Sequence, residues 1–291
     1  ASFPRMLGYE VATPWANIGK VDNEGIELSL NWRKMLAKDF TVDLRFNYTY
    51  TRNKYVYRDE PNYPYVWQTQ TGKPMDCING YIADGLFEDW DDIASHASQD
   101  NFGSTVMPGD IKYRDVNGDG RITEEDKVMI SPYGNIPRIQ YGFGASLVWK
   151  KLDFSVFFNG SAKRRNLLLN DTEDIYPFVQ TSFHAATNLM QWIADSHWTE
   201  GGDNSDVAWP RMGIARSQIA NNLQPSSFWM RNTSFLRFKT LEIGYTLPYC
   251  RIYFSGDNLA IWSPFKYWDP ELTYNSYPMN RTFNVGVQFK F

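Results

Sequence analysis

The sequence of 291 residues has no long apolar run and few cysteines or histidines. No segment approaches the roughly 18 consecutive apolar residues of a transmembrane helix. This excludes helical spans but not barrel strands, which are apolar only at alternate residues. The two cysteines, Cys77 and Cys250, lie far apart, and their spacing does not decide whether they pair. The first residues lack the basic and apolar regions of a signal peptide, so we expect them to follow a cut inside a longer protein.

Charge and motif content argue against several functional classes. The net charge of -4 disfavours nucleic-acid binding. The three histidines lack zinc-site spacing, and the sequence contains no P-loop, Gly-x-Ser-x-Gly elbow or His-Glu-x-x-His motif. The acidic run at 88–92 offers carboxylates for glycoside hydrolysis, but a solvated loop surface explains it better. We therefore expect no catalytic residues and no enzyme.

Apolar and polar residues alternate with period two along several segments, which indicates β-strands with one apolar face. In Val42–Thr51 every even residue is apolar or aromatic and every odd residue is polar. Ile26–Arg33 alternates similarly and predicts a hairpin with it. Further hairpins are predicted at about 138–162, where Phe157 breaks the alternation, and at 234–262. A final strand is predicted to end on Phe291. Aromatic residues make up 16% of the chain, which is typical of barrels with aromatic girdles.

The connections between these strands are very unequal in length. Some have two to six residues, whereas others run over about 52–79, 88–137 and 163–232. Short turns at one end and long loops at the other are typical of outer-membrane barrels. With a weaker strand near Gly80–Phe87, about eight strands are expected. The predicted fold class is all-β: an antiparallel transmembrane β-barrel, partial, with long extracellular loops.

Several short motifs, each weak alone, occur in a specific order. They are 17–28 (NIGKVDNEGIEL), 80–87 (GYIADGLF), 108–122 (PGDIKYRDVNGDGRI), 209–211 (WPR), 235–238 (FLRF), 241–248 (LEIGYTLP), 256–259 (GDNL), 269–271 (DPE) and the terminal Phe291. Together they resemble the SusC/RagA family of TonB-dependent transporters over nearly the whole chain. The link after Pro248 is shorter than is usual in that family.

The resemblance implies that residues 1–291 are the C-terminal part of a larger barrel, with the plug domain and earlier strands absent from them. Such transporters have about 22 strands. Residues 88–137 would form a loop with an EF-hand-like segment, and 163–232 a long extracellular loop region. We would expect the first barrel strand to lie outside these residues, leaving the outer edge of the final strand unpaired within the chain.

The resemblance also implies a function. It is the TonB-dependent uptake of oligosaccharides or peptides across the outer membrane of a Gram-negative, Bacteroidetes-like bacterium. Expected partners are a SusD-like surface lipoprotein, TonB acting through the missing N-terminal part, and outer-membrane lipid. Two alternatives stay open: a complete small barrel acting as an anchor or adhesin, and a soluble calcium-binding protein that binds glycans.

The alternating strands predict which side chains meet lipid. The predicted lipid-facing residues are Leu44, Phe46, Tyr48, Val285, Val287 and Phe289, and the predicted lumen-facing residues are Arg45, Asn47 and Gln288.

A loop with EF-hand spacing is the one candidate metal site. Asp115, Asn117 and Asp119 occupy the first, third and fifth positions, Arg121 would offer its carbonyl, and Asp126 stands where the pattern has glutamate. Such oxygens suit Ca²⁺, although the shorter aspartate predicts weaker binding. The alternative is a turn held by its own hydrogen bonds without an ion.

The segment 163–232 is rich in aromatic residues. They are Tyr176, Phe178, Phe183, Trp192, Trp198, Trp209, Phe228 and Trp229. They are interpreted as a small core that orders the loop or a contact with a partner protein, with a glycan-binding surface as the alternative.

Overall fold

The computed structural model describes residues 19–168, 191–213, 216–272 and 276–289. Two compact units make up the chain. One comprises Asn53–Pro132 and the described part of Leu169–Trp229, together with the described residues before Glu24; the other comprises Glu24–Arg52, Tyr133–Leu168 and Met230–Phe291. We call the first the loop unit and the second the sheet unit. Tyr176, Phe178, Phe183 and Phe291, which the sequence singled out, lie outside the described residues.

Strands dominate the described residues. In chain order they are β1 (Lys20–Ala37), β2 (Phe40–Tyr57), β3 (Ile78–Gly80), β4 (Ala83–Leu86), β5 (Ile111–Tyr113), β6 (Val128–Ser131), β7 (Ile139–Trp149), β8 (Leu152–Ala162), β9 (Arg165–Leu167), β10 (Met230–Asn232), β11 (Phe235–Thr246), β12 (Cys250–Trp262) and β13 (Thr282–Phe289). The α-helices are α1 (Trp90–Ser95) and α2 (Gln191–Ala194), and 3-10 turns occur at Val66–Gln68, Asp100–Phe102, Glu124–Asp126, Arg216–Gln218 and Ala220–Leu223. In the described part of the chain, no helix is long and apolar enough to cross a membrane.

Seven strands form one sheet in the order β1-β2-β7-β8-β11-β12-β13. The pairings from β2 to β13 are antiparallel. Short turns at Lys38–Asp39, Lys150–Lys151 and 247–249 connect strands at one end, and all the long connections leave from the other end. The predicted hairpins and the uneven connections are therefore confirmed.

The predicted strand near Gly80–Phe87 does not belong to this sheet, so the sheet has seven strands rather than about eight. Its residues form β4, which pairs with β5 in a separate two-stranded sheet of the loop unit. The register shifts between Ala83 and Gly85, and Gly85 has a φ of 126°. This irregular backbone prevents the long regular pairing that a barrel strand requires.

The register of the large sheet separates apolar and polar side chains onto opposite faces. One cross-strand row consists of Val42, Leu147, Phe154, Ile243, Phe254 and Val285. The neighbouring row on the other face consists of Asp43, Ser146, Ser155, Glu242, Ser255 and Asn284. Large apolar side chains on the first face are exposed in the isolated chain, and Val285 retains 77% of its accessible surface. Such a continuous apolar face requires an apolar surrounding.

Phe157, which breaks the alternation of β8, lies on the polar face over glycines of β7. A Cβ atom on Gly142 would lie 2.9 Å from the Phe157 ring, and one on Gly144 would lie 3.0 Å from it. The ring therefore fills the space left by missing side chains, as aromatic residues do beside glycines in designed sheets. Tyr253 covers Gly286 in the same way, since a Cβ atom on Gly286 would lie 2.5 Å from Cε1 of the Tyr253 ring.

The loop unit has a core of its own. Its buried apolar residues include Tyr81, Phe87, Ile111, Tyr113, Ile122, Ile193, Trp209, Ile219 and Trp229. The rings of Trp209 and Trp229 stack with centroids 5.9 Å apart, and Trp192 packs 4.9 Å from Trp209. These aromatic residues order the unit, as the packing interpretation predicted, and Trp209 and Trp229 offer no exposed face to a sugar.

Candidate functional site

The EF-hand-like loop lies between β5 and the 3-10 turn Glu124–Asp126. Gly118 and Gly120 have φ values of 76° and 82°, which favour glycine. The carboxylate of Asp115 accepts hydrogen bonds from the amides of Gly118 at 2.7 Å and Gly120 at 2.8 Å. Asn117 and Asp119 accept similar bonds from the amides two residues further on. The structure thus brings these three side chains into one tight turn.

Asp126 occupies a different position from the other candidate ligands. It is fully buried, and its carboxylate accepts hydrogen bonds from the amides of Val116 at 2.8 Å and Thr123 at 2.7 Å. It closes the base of the loop. Arg121 is exposed, and its guanidinium lies 3.3 Å from Asp100.

The fit of this loop to a cation is partial. Carboxylate and amide oxygens are the donors that Ca²⁺ prefers. Among the described residues, however, no three or more His, Cys, Asp or Glu side chains are arranged to hold a metal ion. The hydrogen bonds above account for the order of the loop, and calcium binding stays a prediction.

A hollow of about 500 Å³ adjoins this loop. It is lined by Tyr81, Asn101, Phe102, Asp119, Arg121, Thr123, Glu124 and Glu125. The ammonium of Lys127 lies 5.2 Å from the centre of the Tyr81 ring and 2.7 Å from Glu124. Burial, and then the negative charges of Glu124 and Asp126, raise the pKa of the Tyr81 hydroxyl, so it stays protonated.

Two of the sequence motifs meet in the core of the loop unit. Arg211 donates a side-chain hydrogen bond to the buried carboxylate of Asp110 at 3.1 Å, and its amide donates to the carbonyl of Gly109 at 2.9 Å. Burial raises the pKa of Asp110, while the bond from Arg211 opposes that shift. Gly109 has a φ of 85° and lies against the ring of Trp198. The motif residues are therefore framework residues of this unit.

The side-chain amides of asparagine and glutamine residues that complete this network were not predicted from the sequence. Asn222 accepts a hydrogen bond from the amide of Ile111 and donates one to Asp110, both at 2.8 Å. Gln99 accepts from the amide of Tyr113 at 2.7 Å and donates to Asn221, also at 2.7 Å. In the sequence, the adjacent pair Asn221-Asn222 is only a weak indication of a buried polar network. No sequence feature distinguishes Gln99 from the other glutamines of the chain.

Three further motifs meet in the sheet unit. The fully buried guanidinium of Arg237 contacts Asp269 at 2.7 Å and Glu271 at 3.0 Å, and it donates to the side-chain oxygen of Asn258. Asn258 has a φ of 55° and lies where β12 bulges against β11. On the other side, Arg164 donates to the carbonyl of Pro270. The cluster fixes the connection between β12 and β13.

The polar face of the sheet carries a belt of paired charges near its short-turn end. Arg251 forms ion pairs with Asp153 and, at 2.6 Å, with Glu242. Ser155 lies 3.1 Å from Ser146, which accepts a hydrogen bond from Arg45 at 3.3 Å. Ion pairs and hydroxyl groups on one face of a sheet suit the lining of an aqueous lumen, because the interior of an outer-membrane barrel is polar.

Comparison with known proteins supports the resemblance. No family model matches the chain. The chain is 27% identical to TonB-dependent receptor P3 of Formosa agariphila, over 99% of its own length and 31% of that protein. It is 26% identical to TonB-dependent receptor P26 of the same organism, over 100% of its length and 31% of that protein. It is 25% identical to TonB-dependent receptor SusC of Bacteroides thetaiotaomicron, over 94% of its length and 27% of that protein.

Solved structures show the same fold. The RagAB peptide importer in its open-open state superposes with a TM-score of 0.65 at 19% identity, covering 96% of this chain and 30% of that chain. A second structure, of the RagAB peptide transporter, gives a TM-score of 0.66 at 20% identity, with the same coverages. The predicted resemblance to SusC/RagA-type transporters and the fold of a partial antiparallel barrel are confirmed. The chain spans about a third of the length of the curated relatives it matches.

Proposed function

We propose that this chain, as the C-terminal part of a SusC/RagA-type TonB-dependent transporter, serves an outer-membrane importer of oligosaccharides or peptides. It contributes wall strands and long extracellular connections to a larger barrel. A SusD-like lipoprotein is its partner at the cell surface, and TonB supplies energy through the plug domain. Peptides are one of the two proposed substrate classes because the structurally similar RagAB complex is described as a peptide importer.

The observation that carries this proposal is the two-faced open sheet. The apolar row from Val42 to Val285 runs unbroken from β2 to β13, and the other face carries the charge belt centred on Arg251. Apolar side chains facing lipid and polar side chains facing a lumen are the pattern of an outer-membrane barrel wall. A soluble protein that binds glycans would leave this large apolar face in water, which disfavours that alternative.

The edges of the sheet disfavour a complete small barrel. Among the described residues, β1 and β13 form opposite edges and do not pair with each other. Backbone groups at an open edge cannot stay unsatisfied in lipid. We therefore infer that both edges pair with strands from outside these residues, as expected for part of a larger barrel.

The loop unit has the proposed role of contacting substrate or lipoprotein. Its core and buried amide network make it a folded body rather than a set of flexible connections. A folded extracellular body presents a fixed surface to a ligand, which reduces the ordering cost of binding. If the loop of Asp115 binds Ca²⁺, the ion stiffens this body and performs no chemistry.

Uptake by living cells tests the proposal. A strain lacking the full-length gene should lose uptake of one labelled oligosaccharide or peptide class, and the restored gene should recover it. Depletion of TonB should abolish the recovered uptake, and a surface lipoprotein should co-purify with the full-length protein. Uptake that continues unchanged without TonB would refute the proposal.

A further inference from the structure

The apolar face of the sheet contains a groove at its short-turn end. It has a volume of about 590 Å³ and is lined by Ala37, Phe40, Leu147, Trp149, Leu152 and Phe154. These residues come from the adjacent strands β1, β2, β7 and β8. The spacing of four strands makes the groove roughly 14 Å wide, from about 4.8 Å per strand gap. Its lining is almost wholly apolar, so its occupant must be apolar too.

Positive charge lies directly beside this groove. The turns that bound it contribute Lys38, Lys150 and Lys151, all exposed, against the single carboxylate of Asp39. Within the described ranges, none of these lysines has an ion-pair partner. The third short turn, 247–249, carries no charged residue. The charged turns therefore lie beside the groove, whereas the uncharged turn joins β11 and β12, which do not line it.

The position of Trp149 indicates the level in the bilayer at which the groove would lie. Trp149 pairs with Phe40 and Leu152 across the strands and is exposed, and the ammonium of Lys150 lies 5.6 Å from its ring centre. Tryptophan in barrels concentrates at the level of the lipid headgroups. The apolar lining of the groove thus matches the acyl chains of one lipid, and the lysines beside Trp149 match its headgroup.

We propose that this groove binds an anionic phospholipid of the periplasmic leaflet. Its acyl chains lie against Leu147, Leu152 and Phe154, and its phosphate contacts Lys150 and Lys151. The inference rests on the proposed function, because it requires that the apolar face lie in a membrane. It goes beyond that function by assigning one lipid class to one place on the wall.

Native mass spectrometry of the full-length protein, released from nanodiscs that contain phosphatidylglycerol and phosphatidylethanolamine, tests this site. We expect wild-type protein to retain phosphatidylglycerol selectively. The double variant Lys150→Gln/Lys151→Gln should retain about 30-fold less, which corresponds to about 1 kcal/mol for each lysine near an anionic surface. The control variant Lys20→Gln/Lys54→Gln removes the same charge from exposed sites at the other end of β1 and β2 and should behave as wild type.

A variant that narrows the groove gives a second measurement. Ala37→Phe adds a ring at an exposed position of the lining and leaves no cavity, so it should reduce lipid retention while keeping the lysines. Equal retention of both lipids by all variants, or a second protein copy retained in place of lipid, would overturn the proposal while the importer function stands. Failure of the full-length protein to enter nanodiscs would overturn both.

Discussion

Replacing Gly109 with alanine adds one methyl group where the backbone and the neighbouring side chain both oppose it. The φ of Gly109 is 85°, and a Cβ atom there would lie 2.5 Å from Cε3 of the Trp198 ring. The left-handed backbone costs an alanine about 1–2 kcal/mol, and forcing a methyl group into packed surroundings costs about 1–3 kcal/mol more. We expect Gly109→Ala to destabilise the loop unit by about 2–5 kcal/mol.

Gly103 provides the matched control. Its φ is 82°, but apart from its two chain neighbours no described residue has an atom within 4 Å of the position of an added Cβ. Gly103→Ala should therefore cost only the backbone contribution, about 1–2 kcal/mol. The two variants should differ by about 1–3 kcal/mol, which comes only from the Trp198 contact.

Hydrogen exchange of the full-length protein measures this difference. Amides of the loop-unit core, such as those of Ile111 and Tyr113, should exchange about 5- to 150-fold faster in Gly109→Ala than in Gly103→Ala. In a Trp198→Ala background the extra cost of the Gly109 substitution should disappear, because the ring is gone. Equal exchange in the two single variants would contradict the packing argument.

Three further predictions concern the sheet, the metal loop and pH. Phe46→Arg should cost about 2–4 kcal/mol in unfolding from lipid vesicles, whereas the neighbouring Asn47→Arg on the lumen side should cost much less; the reverse order would invert the assigned faces. If the loop binds Ca²⁺, adding the ion should slow its hydrogen exchange in wild type but not in Asp119→Ala, with the barrel folded in both; no effect of Ca²⁺ on wild type would exclude the site. Burial raises the pKa of Asp110 in the folded loop unit, so the folded state binds this proton more tightly than the unfolded state. Stability of the unit should therefore fall as pH rises from the unfolded pKa to the raised folded pKa, and Asp110→Asn should remove that slope in unfolding measurements.

The contacts of Asp110 show that two motifs separate in the sequence can have one shared structural role. The Asp110 and Arg211 motifs are far apart in sequence, and each by itself indicates only a family resemblance. In the structure they form one buried network with Asn222, whose amide side chain contacts both the Asp110 carboxylate and the amide of Ile111. A buried carboxylate needs such partners, because an unpaired charge in a protein interior is strongly destabilising.

The hairpins, the two faces of the sheet and the unequal connections could be predicted from the sequence, because alternation with period two and turn length are local properties of a strand pair. The positions of residues that depart from the alternating pattern could not be predicted and became visible in the fold. Phe157 covers glycines on the neighbouring strand, the segment 80–87 joins the loop unit, and Arg237 collects the carboxylates of Asp269 and Glu271. Each outcome depends on contacts between residues distant in the chain. Local periodicity carries no information about such contacts, since their energies arise only when the fold brings the partners together.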